Sequence, residues 1–205
     1  MALHETEIVW GREQTVPPAA PAILAADTKL YGRIHQAADD ATVDRLITLA
    51  TEFVFERTER QLITATWLLT RRRFPASSLT AIVLPIYPVS SVTSVQYVDT
   101  AGLLQTWDAA EWKLNKRTEP ATIQPAYGQT YPITRDEEEA VRITAVCGHG
   151  AASADVPALH KQPLFELVNY WYSNRGSVSP PTIDGSFAPT IDAAIAASDA
   201  GVVLL

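Results

Sequence analysis

Chemistry in this chain would have to begin at a few clusters of histidine, carboxylate, arginine or tryptophan, so their spacing decides what reactions are open to it. His149 stands between two glycines in Gly148-His149-Gly150, which fits a strand-to-helix connection whose glycines supply the turn. His4, His35, His149 and His160 show none of the spacings that place two imidazoles on one metal. Glu137, Glu138 and Glu139 are adjacent carboxylates ahead of a β-prone run, the pattern of a solvated loop. The single cysteine, Cys147, lies in an apolar alternating segment where a thiol behaves as a small hydrophobe, and one cysteine makes neither an internal disulfide nor a cysteine-based metal cluster. No phosphate loop, dinucleotide-binding glycine pattern, nucleophile elbow or paired-histidine zinc motif occurs. The expectation is a protein with no catalytic residue, no cofactor and no metal.

Binding chemistry is also constrained. Arg71-Arg72-Arg73 is the only basic run, and strand alternation sends Arg71 and Arg73 to one face and Arg72 to the other, which breaks up a continuous patch. The formal net charge is −7, with the acidic excess at the two ends, residues 1–61 and 151–205, and balance between them. Such a chain lacks the electrostatic footprint of a sequence-specific duplex binder. Four of the five tryptophans, Trp67, Trp107, Trp112 and Trp171, fall inside periodic segments where core packing is expected.

The elements that position these residues follow from periodicity. In Leu164 to Arg175, Leu164, Leu167, Val168, Trp171 and Tyr172 recur at helical spacing and form one apolar stripe, ending before Gly176. Pro157 suits the first helical position with Asp155 as cap, while Pro163 predicts a kink or a fresh helix start. Near the N-terminus, Asp27 is a candidate cap for a short helix through Tyr31, Ile34 and His35. Asp39 or Asp40 caps a longer one, striped by Val43, Leu46, Ile47, Ala50, Phe53 and Val54 and ending near Arg60. From Leu62 the period becomes strand-like through LITATWLLTRRRF, TAIVLP, EWKLNK, ATIQPAYG and AVRITAVCG, and SVTSVQYVDTAGLLQTW reads as a hairpin turning at Asp99 to Gly102. The fold class is therefore α+β, a small helical bundle with a β-rich, barrel- or sandwich-like segment inserted at 62–150 and a closing helix at 157–175.

The ends differ in composition. Residues 1–26 read as an extended arm, with Pro17, Pro18 and Pro21 disfavouring helix. Residues 179–205 read as a tail that is too rich in Ser, Pro and Gly to bury its own apolar residues. His4, Glu5 and Glu7 interrupt any leader-like run, and no stretch reaches the roughly 20 apolar residues of a membrane span. The chain reads as a soluble protein made in the cytoplasm, without a membrane partner.

The order of these segments resembles the head–tail connector, or adaptor, proteins of long-tailed bacteriophages and gene transfer agents. The resemblance is carried by DDATVDRLITLATEFVFERTERQLITATW at 39–67, LPIYPVSSVTSVQYVDTAG at 84–102, PAYGQTYP at 125–132, VRITAVCGHG at 141–150 and VPALHKQPLFELVNYWYSNR at 156–175. It spans about residues 27–178 in order. Pro163 and the arm bearing Trp10 depart from the family pattern.

The resemblance implies a structural virion protein of the neck, without catalytic residues or cofactor. It implies a twelve-fold ring of identical copies below the portal, extending the DNA channel and docking the next neck or tail-completion protein. Since the C-terminal region of such proteins engages the portal, Phe187, Ile191, Ile195, Val202, Val203, Leu204 and Leu205 become portal-interface candidates. Like-charge repulsion would let genomic DNA pass without sequence-specific binding, so Asp39, Asp40 and Asp44 become channel-lining candidates, although capping explains them equally well. Two alternatives stay open: a neighbouring neck ring such as a stopper or tail terminator, and a small β-domain that binds glycans through exposed tryptophans.

Overall fold

The computed structural model describes residues 9–174, and Ala196 beyond them. Within that span the chain forms two compact units, one built from residues up to Pro17 with Thr64–Gly148, the other from Pro18–Ile63 with residues from His149 onward. The fold is mixed α+β, as the sequence implies.

The first unit holds eight strands: β1 Gly11–Val16, β2 Ala65–Arg71, β3 Ile82–Val83, β4 Val89–Val98, β5 Leu104–Thr106, β6 Trp112–Asn115, β7 Thr122–Pro125 and β8 Val141–Cys147. They make two antiparallel sheets, a five-stranded one in the order β1-β2-β8-β4-β5 and a three-stranded one in the order β3-β7-β6. Neither sheet closes on itself, so the barrel alternative is replaced by two open sheets among the described residues. Strand β8 lies between β2 and β4, and its strict alternation buries Val141, Ile143, Ala145 and Cys147. The β4–β5 hairpin turns where the sequence places it, with Gly102 at a φ of 86° that a side chain would strain. The sheet core is continued by an aromatic cluster in which Phe74 packs on Tyr131 and Trp107, each at 5.3 Å between ring centroids.

The second unit holds three helices, α1 Ala25–Tyr31, α2 Asp40–Thr58 and α3 Ala158–Ser173. Val43, Leu46, Ile47, Ala50 and Val54 of α2 bury together with Leu164, Leu167, Val168 and Trp171 of α3 in one cluster, against which Phe53 and Tyr172 pack. Phe53 meets Trp171 edge to face at 5.9 Å, the arrangement ring quadrupoles favour.

Local details depart from the sequence expectation for physical reasons. Helix α1 begins at Ala25, with Leu24 in the cap position, and stops at Tyr31 before Gly32, so Asp27 lies in its first turn instead of capping it. Asp39 occupies the cap position of α2 without a side-chain capping bond, because its carboxylate accepts the Tyr172 hydroxyl hydrogen instead. Asp40 is likewise engaged by Lys29. Helix α3 begins at Ala158 with Pro157 in the cap position, and it runs unbroken through Pro163. Pro163 sits early in the helix and is itself buried; the carbonyl left without its amide belongs to Leu159, an exposed residue that water can reach. The stretch read as an arm contains β1, whose backbone pairs with β2 from Gly11 opposite Thr70 to Val16 opposite Thr66.

Candidate assembly surfaces

The residues singled out for chemistry are mostly held in structural contacts. Glu137 pairs with Arg135 at 3.3 Å and Glu139 with Arg142 at 3.9 Å. The Cys147 thiol is buried against the Ile86 carbonyl, and burial pushes its pKa up to about 12. Among the described residues no three His, Cys, Asp or Glu side chains gather closely enough to hold a metal, and no helix is long and apolar enough to cross a membrane. All five tryptophans lie in the described residues, and none is exposed: Trp67, Trp107 and Trp171 are buried, Trp10 and Trp112 half-buried. A stacking platform for sugars is absent from those positions.

Two buried polar sites were not visible in the sequence. In the helical unit the chain returns through Arg60, Gln61 and Ile63 beside His149. Gln61 donates to the Ile63 carbonyl at 2.8 Å, the His149 amide donates to Leu62 at 3.0 Å, and the His149 ring stacks on His160 at 5.1 Å. Burial, with the positive charge of Arg60 and then His149 adding to it, lowers the His160 pKa to about 4. His149 is thus a packing residue of the helical unit and not a loose loop histidine.

The other site is at the end of β2. Arg71 is only 7% exposed, its Nε has no hydrogen-bond partner, and its guanidinium carbon lies 5.3 Å from the ring centre of Trp10. Burial disfavours the charged guanidinium, nearby Tyr131 favours it, and the like charge of Arg73 opposes it. Its neighbour Arg72 donates from Nε to Asp136 at 2.7 Å. The alternation expected across the three arginines does not hold, because β2 ends at Arg71 and both Arg72 and Arg73 beyond it are exposed, and nothing local announces that the charged residue at the strand's end is buried.

The helical unit presents a different surface. Asp40, Asp44, Thr48, Glu52 and Glu56 follow one another at intervals of four along α2 and are all exposed. They form a largely acidic row that winds by about 40° per step round the exposed side of the helix. Of the channel-lining candidates, Asp39 and Asp40 are engaged within the chain, and Asp44 meets no cation among the described residues. The portal-interface candidates Phe187, Ile191, Ile195, Val202, Val203, Leu204 and Leu205 lie outside the described residues.

Among the described residues the chain is an α+β protein of two open sheets and a helical unit. Three solved structures similar in fold come from gene transfer agent particles. A chain in the virion of a native gene transfer agent particle matches at a TM-score of 0.72 and 22% identity, over 90% of this chain and 93% of that one. A chain in the neck of an empty particle, computed with C6 symmetry, matches at 0.73 and 22%, over 92% and 94%. A chain in the neck of a native particle, computed with C12 symmetry, matches at 0.64 and 22%, over 90% and 94%. At this identity the matches define a shared fold. No family model matches the chain, and no curated protein matches it.

Proposed function

We propose that this chain is a structural protein of the neck of a tailed particle, an adaptor that forms a ring below the portal, extends the DNA channel and docks the next neck protein. One observation carries the reading: the fold is shared, over nine-tenths or more of both chains, with chains found in the virion and neck of gene transfer agent particles. The order of segments between residues 27 and 178, which resembles that of adaptor proteins, agrees with this reading. Symmetric neck particles make a ring of identical copies the natural form, and the C12 neck favours twelve. The absence of an exposed tryptophan removes the support for glycan binding.

In this reading the tail residues Phe187, Ile191, Ile195, Val202, Val203, Leu204 and Leu205 meet the portal, and the acidic start of α2, chiefly Asp44, faces passing DNA and repels it. Genomic DNA passes without sequence-specific recognition, and no catalytic group or cofactor takes part. The test is an image reconstruction of particles assembled with this protein. Twelve copies in a ring between portal and tail are expected; density for it at a tail tip, or none in the neck, would overturn the proposal.

A further inference from the structure

β1 belongs to the sheet unit by contact but leads directly into the helical unit by chain. Apart from the residues up to Pro17, the sheet unit is one continuous segment, Thr64–Gly148, and the chain after Pro17 is already part of the helical unit. All six residues of β1 are exposed, so it adds no side chain to a core. Four contacts hold it in place: the backbone ladder to β2, the Thr15 hydroxyl donating to the Thr66 carbonyl at 3.2 Å, the close fit of Gly11 against Thr70, and Trp10 over the Arg71 guanidinium at 5.3 Å. The acceptor side depends on the same contacts. Without β1, β2 becomes the edge of the sheet with its N–H and C=O groups open to pairing, and Arg71, 7% exposed with Nε unpartnered, loses the ring that lies over it.

The link behind β1 is stiff. Residues 17–21 include Pro17, Pro18 and Pro21 and contain no helix or strand, and the next residue, Ala22, is anchored in the helical unit through its carbonyl, which accepts the Ser153 hydroxyl at 2.9 Å. Prolines fix φ and lack the amide that would close a turn, so such a link acts as a semi-rigid spacer and favours no return to the strand's own sheet over a neighbour's. A terminal strand that buries nothing makes the same ladder on either copy, so exchange loses no contact. In a closed ring the neighbour's arm is held nearby at high effective concentration. We infer that β1 of each copy is the edge strand of the next copy's sheet, paired with that copy's β2 in the register that runs from Gly11 opposite Thr70 to Val16 opposite Thr66. Donor strand and acceptor edge are different surfaces, so the exchange runs head to tail and is completed only when the ring closes. The charged Arg12 and Glu13 and the register shift between Gln14 and Val16 discourage a further strand on β1's outer edge, which leaves β1 a donor and not a second acceptor. The inference rests on the ring reading above and deepens it by naming the subunit contact.

The experiment is a cross-link on the full-length protein. Glu13 lies opposite Leu68, so E13C/L68C places two thiols face to face across the β1–β2 ladder, and Cys147, which is buried, stays out of the reaction. The assembled variant is oxidised, or treated with a short bismaleimide, and run on a denaturing gel, without reductant after oxidation. A ladder of covalent multimers rising towards the full ring is expected, and reductant should collapse the oxidised ladder to monomer. If the reduced variant fails to assemble like the parent, V16C/T66C, at the other end of the same register, takes its place. An internally linked monomer as the main product from assembled rings would overturn the inference by showing that each arm stays on its own sheet. Assembled rings that give no link with either pair would overturn it too. Both of those results leave the ring intact, whereas a chain that stays monomeric at every concentration defeats the exchange without deciding the neck assignment, which the particle reconstruction tests separately.

Discussion

At the scale of single residues, the two aromatic and histidine contacts of the helical unit make the sharpest predictions. Trp171 is 6% exposed and meets Phe53 edge to face, so Trp171→Ala removes a large buried ring from the seam between α2 and α3. It should cost about 3–5 kcal/mol in chemical denaturation, and a variant as stable as the parent would mean this seam does not hold the unit together. His160 predicts a pH dependence whose sign follows from its buried site. The unfolded chain takes up a proton near the ordinary value of 6.5, whereas the folded chain refuses it until about 4. Between those values the unfolded state binds more protons, so stability is full above pH 6.5 and falls as the pH drops towards 4. The loss should be on the order of 2–3 kcal/mol. The groups facing His160 are His149 and Arg60, both of which oppose its protonation. His160→Gln should flatten the denaturation profile across that window, and an unchanged slope would assign the acid sensitivity elsewhere.

At the scale of elements, β1 separates what the sequence reveals from what it hides. Helices α2 and α3 and strand β8 bury one face, which writes a period of 3.6 or 2 into their apolar residues and makes them legible. β1 is exposed along its whole length, so Gly-Arg-Glu-Gln-Thr-Val carries no such period, and only its backbone pairing with β2 makes it a strand. Pro163 misleads in the opposite direction, since its effect depends on where in the helix the missing amide falls, not on its mere presence. Arg71 is buried beside Trp10 and Arg60 beside His160, partners distant in sequence, and so no local pattern announces their burial. β1 also yields a test. A Cβ on Gly11 would lie 2.2 Å from Oγ1 of the buried Thr70, so a side chain at position 11 forces that hydroxyl to move within its buried site. Gly11→Ala should destabilise the sheet unit by about 1–3 kcal/mol and expose the N-terminal strand to proteolysis. Adding Thr70→Ala should restore part of the loss; a single variant that melts like the parent would show that the edge yields without cost.

At the scale of the whole molecule, the division into two units states what each end of the chain has to do. The described core of the helical unit draws on residues from Ala22 to Trp171. The apolar residues gathered between Phe187 and Leu205 stand in a stretch too rich in Ser, Pro and Gly to form a core of its own, which is why we assign them to the portal. A segment that gains its contacts only on assembly pays for its ordering at that moment, and only new burial offsets it. Deleting residues 180–205 should therefore leave the melting temperature nearly unchanged while abolishing stable attachment to portal-bearing heads, measured by co-sedimentation. A truncated chain that unfolds would show the tail to be part of the core, and one that still attaches with full affinity would move the portal contact to the described units.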